Sequence, residues 1–201
     1  MKRWLEKGHM GQAVIPFFVL LGSYLFQDAI VFPLESMIRP DENVSLVSLM
    51  FIPHGVKVAL VLIFGLKVLP SIFLAQLING IILENILDVE FQIILGALGG
   101  TLCLIFPLLL YNGLFRQPIF SGPIFHKTGS MNSLLLFLVF AFAASVLNSV
   151  FHATMYGFNF GLLTLMYLFG DVFGAIVIFI LFILIFRPYV IRMVRKGVCN
   201  D

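Results

Sequence analysis

Charge is scarce in this chain: its 201 residues include 12 Lys or Arg and 10 Asp or Glu, 11% in all. A soluble domain carries about 25%, so this sequence has too few ionic groups to cover a surface in water. Polar stretches are equally short, and none is long enough for a soluble catalytic or output domain. Cysteine is nearly absent. Cys103 falls in an apolar run and Cys199 in a basic tail, so the pair is expected half a membrane apart, beyond the reach of a disulfide. No His/Cys/Asp/Glu cluster has metal-ligand spacing, no nucleophile stands with a base and an orienting acid at motif spacing, and no Gly-rich phosphate loop occurs. Enzymatic activity is therefore not expected, and with a net charge of only +2 neither is a nucleic-acid partner.

What the chain has instead is hydrocarbon. Hydrophobic residues make up 61% of it and the mean hydropathy is +1.09. A helix needs about 20 residues to cross a bilayer, and apolar runs of that order recur at 13–32, 46–64, 68–85, 91–111, 133–153 and 160–186. The runs are continuous, whereas barrel strands alternate in shorter segments. The expected fold is an all-α polytopic membrane bundle of about six transmembrane helices, a single integral membrane domain over residues 1–201. Lys2, Arg3 and Lys7 precede the first run like the start of a secretory leader, but Gln27, Asp28 and Pro33 stand where a cleavage site would fall, so that run is read as retained.

Basic residues orient the bundle. With the N-terminus inside, the cytoplasmic segments hold Lys2, Arg3, Lys7, Lys67, Arg116, Lys127, Arg187, Arg192, Arg195 and Lys196, and only Arg39 and Lys57 are left over. The acids Glu35, Asp41, Glu42, Glu84, Asp88 and Glu90 gather on the opposite side. Both ends are thus expected in the cytoplasm and the protein in a bacterial inner membrane. The connection 112–132 is rich in Pro and Gly and reads as a solvated linker.

Ionisable groups inside spans cost about 2.5–3.5 kcal/mol at a helix centre, so each one calls for a reason. Gln27, Asp28, His54, Lys57, Gln76, Asn79, Glu84, Asn148, His152 and Asp171 all fall within the runs. In the topology above they share the outer half of the membrane. The expected site is an outward-facing polar cavity whose ligand-binding residues are His54, Lys57, Asn79, Asn148, His152 and Asp171. Lys57 and Asp171 are expected to pair, with Asp28 or Glu84 as alternative partners for Lys57. His54 and Lys57, three apart, and Asn148 and His152, four apart, each share a helix face. Two histidines at one depth on different spans could also ligate a haem, although no supporting motif accompanies them. Small residues four apart, Gly96 and Gly100, Ala141 and Ser145, Gly170 and Gly174, are expected to let helices approach closely.

Two stretches carry a resemblance. Ile52-Pro53-His54-Gly55-Val56-Lys57-Val58-Ala59-Leu60 followed by Gly65-Leu66-Lys67-Val68-Leu69-Pro70, and later Phe169-Gly170-Asp171-Val172-Phe173-Gly174, resemble the membrane-associated sensor domain of the first type. That family has a Pro-containing helix start, a Gly and a base at the next turn, and a Gly-Asp-x-x-Gly signature. His54 and Lys57 stand where the family carries mostly apolar residues. The resemblance implies a noncatalytic sensory or ligand-binding module which, lacking an output domain of its own, acts through a membrane or cytoplasmic signalling partner or as a homo-oligomer. The basic tail, 187–196, is expected to touch anionic lipid. A small transporter or substrate-capturing importer subunit, and an assembly subunit of a membrane complex, are the competing expectations.

Overall fold

The computed structural model describes residues 9–39, 48–84, 91–114, 130–155 and 161–197. Among them it contains helices and no strand. Five stretches are long and apolar enough to cross a membrane: Ala13–Ile38, Ile52–Ile82, Phe91–Leu110, Leu135–Met155 and Thr164–Phe182. This is the make-up of a multi-pass membrane protein.

The first rod is α1 (His9–Phe26), a widened π turn (Gln27–Val31) and α2 (Phe32–Ile38) run together. In a regular helix Pro33 would have no N–H for the Ala29 carbonyl, and its ring would strike that carbonyl. The wide turn just before it, where the Phe32 N–H reaches back to Gln27 O, accommodates the proline without ending the rod. It also turns Gln27 into the interior, where the side chain is fully buried.

Helix α3 (Ile52–Phe64) has 13 residues, about 20 Å of rise at 1.5 Å per residue. That is two-thirds of a hydrocarbon core of about 30 Å. A helix from residue 46 was expected, but Ser48–Phe51 is a non-helical strap. Pro53 is the reason: in the first turn its missing N–H is no loss, whereas a helix extended further back would press its ring against the Leu49 carbonyl. Ten of the 13 residues of α3 are buried, so it presents almost no face to lipid.

Gly65 ends α3 at φ 69° and ψ −157°, a backbone conformation open to glycine and strained for other residues. One tight turn, Gly65–Val68, leads into α4 (Leu69–Glu84). The two helices fold back on each other, since Lys57 Nζ lies 3.2 Å from Gln76 Oε1 although 19 residues along one straight rod would separate them by about 28 Å. The apolar stretch Ile52–Ile82 is thus a helical hairpin. Helices α5 (Phe91–Leu114), α6 (Ser130–Met155) and α7 (Leu162–Gly197) complete the described elements. With its 36 residues, α7 rises about 54 Å, so it outruns a bilayer core and carries the helix on through the basic stretch 187–196.

Neighbouring helices run around the bundle in the order α1, α4, α5, α6, α7, α3 and back to α1, with α3 also leaning inward to touch α6. Gly55, Gly170 and Gly174 make this possible. A Cβ at Gly55 would lie 2.7 Å from the Ala175 Cα, and one at Gly170 or Gly174 would collide with the Ser48 or Phe51 carbonyl. The last two form a trough on α7 for the strap, whose Phe51 N–H donates to Gly170 O at 2.9 Å. Away from the strap, the interior is packed with Val58, Val61, Leu62, Ile72, Leu104, Leu108, Phe137 and Phe140, all within a few per cent of full burial. The exterior is as apolar as the interior: Phe18, Leu102, Phe106, Val139, Phe169 and Phe173 are all more than half exposed. Such a surface suits acyl chains rather than water.

Candidate functional site

Polar residues concentrate at one end of the bundle, the end of the strap. There the extra residue of the π turn lets Gln27 bridge two elements: its Nε2 donates to Ser48 Oγ at 3.0 Å and its Oε1 accepts the Ile52 N–H at 3.1 Å, which caps the start of α3. The buried Glu35 carboxylate accepts from Ser48 Oγ at 2.8 Å, from Leu49 N at 3.1 Å and from Met50 N at 3.0 Å. A carboxylate that accepts three hydrogen bonds beside a helix N-terminus is well solvated by protein. The strap is held by α1 and α2 from one side and by the α7 trough from the other.

Beneath the strap is a cavity of about 340 Å³. Its walls are the C-terminal parts of α1, α4 and α6 and the N-terminal parts of α3, α5 and α7, and they include Tyr24, Asp28, Lys57, Gln76, Asn79, Gln92, Asn148, His152, Tyr167 and Asp171. Elements that contribute opposite ends to one chamber must alternate in direction, so the chamber occupies one half of the bundle. The volume is at the low end of small-molecule sites, about 300–1,000 Å³. A cavity on the other half, beside Phe137 and Phe179, has only about 10 Å³.

Five of the six expected residues, Lys57, Asn79, Asn148, His152 and Asp171, line this chamber. His54 does not. Because α3 leans on α6, the position three residues before Lys57 faces the α3–α6–α7 seam. There His54 Nε2 lies 3.1 Å from Ser145 Oγ and Nδ1 lies 3.2 Å from Asp171 Oδ2. The Ser145 hydroxyl donates to Ala141 O at 2.7 Å, so the imidazole Nε2–H is the donor to Ser145 and Nδ1 faces the carboxylate. Serine, imidazole and carboxylate lie in the order of a hydrolase triad, but the Nε2–H tautomer gives the serine no base and the carboxylate no donor. Ser145 is also fully buried and off the chamber wall, which leaves an acyl group no route to its Oγ. His54 Nδ1 faces Asp171 without a hydrogen bond to it among the described residues.

The expected Lys57–Asp171 pair is also corrected. Asp171 accepts from Asn148 Nδ2 at 2.8 Å, while Lys57 Nζ donates to Gln76 Oε1 at 3.2 Å. Gln76 is in turn held on α5, with its Nε2 donating to Thr101 Oγ1 at 2.9 Å and to Ala97 O at 3.3 Å. Each charge is therefore held by a neutral amide on its own side of the chamber, Lys57 against α4 and α5, Asp171 against α6. No ion pair joins Lys57 to Asp28 or Asp171 among the described residues. Glu84, the other candidate partner, has its side chain outside the described part of the structure, as do most of the 112–132 connection, Cys199 and the first basic residues.

Two wall oxygens stand out. Asn79 and Asn148 are 6% and 3% exposed, and the Oδ1 atom of each is buried with no hydrogen-bond partner among the described residues. For Asn148 the bond from Nδ2 to Asp171 fixes which way the amide points. A buried carbonyl left without a donor costs about 1–3 kcal/mol. The remaining wall is aromatic: the His152 ring stacks on Tyr167 at 5.4 Å and 3°. His54 and His152 do not face one opening, so they form no axial pair for a haem in the chamber. No group of three or more possible metal ligands occurs among the described residues.

Glu35 was expected only as an acid of an outer loop and Ser145 only as a small packing residue, while Ser48 and Thr101 were not singled out. The spacing of Gln27 to Pro33 was the available signal for a distorted turn that would point a glutamine inward. No family model matches the chain, and neither does a curated protein or a solved structure.

Proposed function

We propose that this protein is a noncatalytic membrane module of six membrane-embedded helices, with both ends cytoplasmic, that captures a small polar molecule in a chamber open to the outer face. The observation that carries this reading is the chamber itself: a space of about 340 Å³ lined in part by Asn79 and Asn148, whose buried Oδ1 atoms have no donor among the described residues, in a bundle whose other half is apolar. Sidedness is supported by the bases. Lys67 lies in the α3–α4 turn and α7 runs on through residues 187–196, both at the end away from the chamber, where the positive-inside rule puts the cytoplasm.

The closed apolar half favours a receptor over an open conduit. Sensing through a separate membrane or cytoplasmic partner accords with the resemblance to the membrane-associated sensor domain, in a bacterial inner membrane. The same single-mouthed chamber would serve a substrate-capturing importer subunit, and uptake into vesicles separates the two. The test of binding uses Gly96, where an added Cβ would meet nothing within 4 Å and which borders the chamber. The intact chain in nanodiscs is screened by thermal shift against free amino acids, amines, carboxylates and sugars. A ligand at 100 times its Kd stabilises by about 2.7 kcal/mol. At least one compound should raise the melting temperature of the wild type and leave that of Gly96→Leu unmoved; no shift, or the same shift in both proteins, contradicts the proposal.

A further inference from the structure

Resting on the ligand-binding reading above, we infer that the chamber selects a zwitterion of amino-acid size that carries a protonated, N–H-bearing ammonium group. The charges that face the space are Lys57, Asp28 and Asp171, and no ion pair joins Lys57 to either carboxylate among the described residues. The first and last are each anchored by a neutral amide, Gln76 and Asn148, and are not in ion-pair contact with each other. An anion alone meets two carboxylates, and a cation alone meets the lysine. A molecule with both charges pairs its carboxylate with Lys57 and its ammonium with Asp171, and leaves only the half-buried Asp28 to water.

The orphaned oxygens narrow the cation further. Asn148 Oδ1, on the residue that holds Asp171, and Asn79 Oδ1 both lack a donor. A primary ammonium brings three N–H donors, whereas a quaternary ammonium brings none and would leave both oxygens unsatisfied. A carboxylate at Lys57, an ammonium towards Asp171 and the two asparagines, and a side chain on the His152–Tyr167 stack engage three parts of the wall. A volume of about 340 Å³ limits that side chain to modest size.

The experiment is titration calorimetry of the intact chain in nanodiscs with the free α-amino acids, each beside its amide, its N-acetyl derivative and its N-trimethyl betaine. A free amino acid should bind at least about tenfold tighter than all three derivatives, about 1.4 kcal/mol in each comparison. In Lys57→Met the preference for acid over amide should disappear. In Asp171→Asn the preference for free amine over N-acetyl should disappear, and Asn79→Leu, which removes another acceptor of the same ammonium, should shrink that preference if Asp171→Asn does not fold. Equal binding of the amide, the N-acetyl acid or the betaine overturns the assignment, as does a chamber that takes only a sugar or a singly charged solute. Either of those leaves the chamber's binding role standing, provided Gly96→Leu abolishes that binding. Absence of binding by every compound overturns both.

Discussion

Gly174→Ala adds one methyl group to α7 and should weaken the protein well beyond the norm for a glycine in a helix. The new Cβ would collide with the Phe51 carbonyl and sit 3.0 Å from Ile52 N, and these are backbone atoms with no rotamer to escape into. Nor is the strap free to retreat, because Glu35 holds its Leu49 and Met50 amides and Gly170 O holds Phe51 N at 2.9 Å. Overpacking costs about 1–3 kcal/mol, and loss of the Phe51 bond adds about 0.5–1.5 kcal/mol. The helix preference of Ala over Gly offsets about 1 kcal/mol, which leaves a net loss of about 2 kcal/mol. Gly96→Ala is the matched control: the same substitution, in a helix, where the Cβ meets nothing within 4 Å, so it keeps the gain of up to about 1 kcal/mol. The gap of about 3 kcal/mol corresponds to about 6–12 °C for a chain of this length, read by intrinsic fluorescence during thermal unfolding in identical nanodiscs. If Gly174→Ala melts at or above Gly96→Ala, the strap is not seated in the α7 trough and the chamber roof is wrongly described.

Glu35→Gln takes one charged acceptor from the Leu49 and Met50 amides, worth about 1.5–3 kcal/mol for a bond to an ionised group; hydrogen exchange at those two amides should accelerate, and unchanged protection would refute the clamp. Gln76→Leu and Lys57→Met should each destabilise, and the double variant should be milder than their sum by at least about 1 kcal/mol, since the second change removes the charge the first leaves unsolvated. Strict additivity would mean that the 3.2 Å contact carries no energy.

The all-helical membrane character was legible because it rests on composition and run length, which survive any error in tertiary arrangement. Five of the six expected binding residues meet in one chamber because alternating helices bring positions of equal depth together, and depth follows from sequence once direction is assigned. Pairing was not legible. Depth does not say which face of a helix turns to which neighbour, so His54 and Lys57, three residues apart, were placed on one wall, whereas the tilt of α3 sends His54 to Ser145 and Asp171. Lys57 was matched to Asp171 because the two share a depth, whereas a glutamine across the helical hairpin holds it. Glu35 was taken for a loop acid because a surface carboxylate and one buried in backbone amides look alike in sequence. The short α3 was overestimated because hydropathy continues through Ser48–Phe51, where the proline at residue 53 interrupts the helix.

The most direct test of the central claim, a polar chamber open to the outer face at one end of the bundle, is cysteine accessibility in intact cells. In a background with Cys103 and Cys199 replaced by serine, Gly96→Cys reports on the chamber and Lys67→Cys, exposed in the α3–α4 turn, on the opposite end. A small membrane-impermeant thiol reagent added outside should label Gly96→Cys at once and Lys67→Cys only after permeabilisation. The reverse order, or a Gly96→Cys that stays unreactive from both sides, would contradict the account.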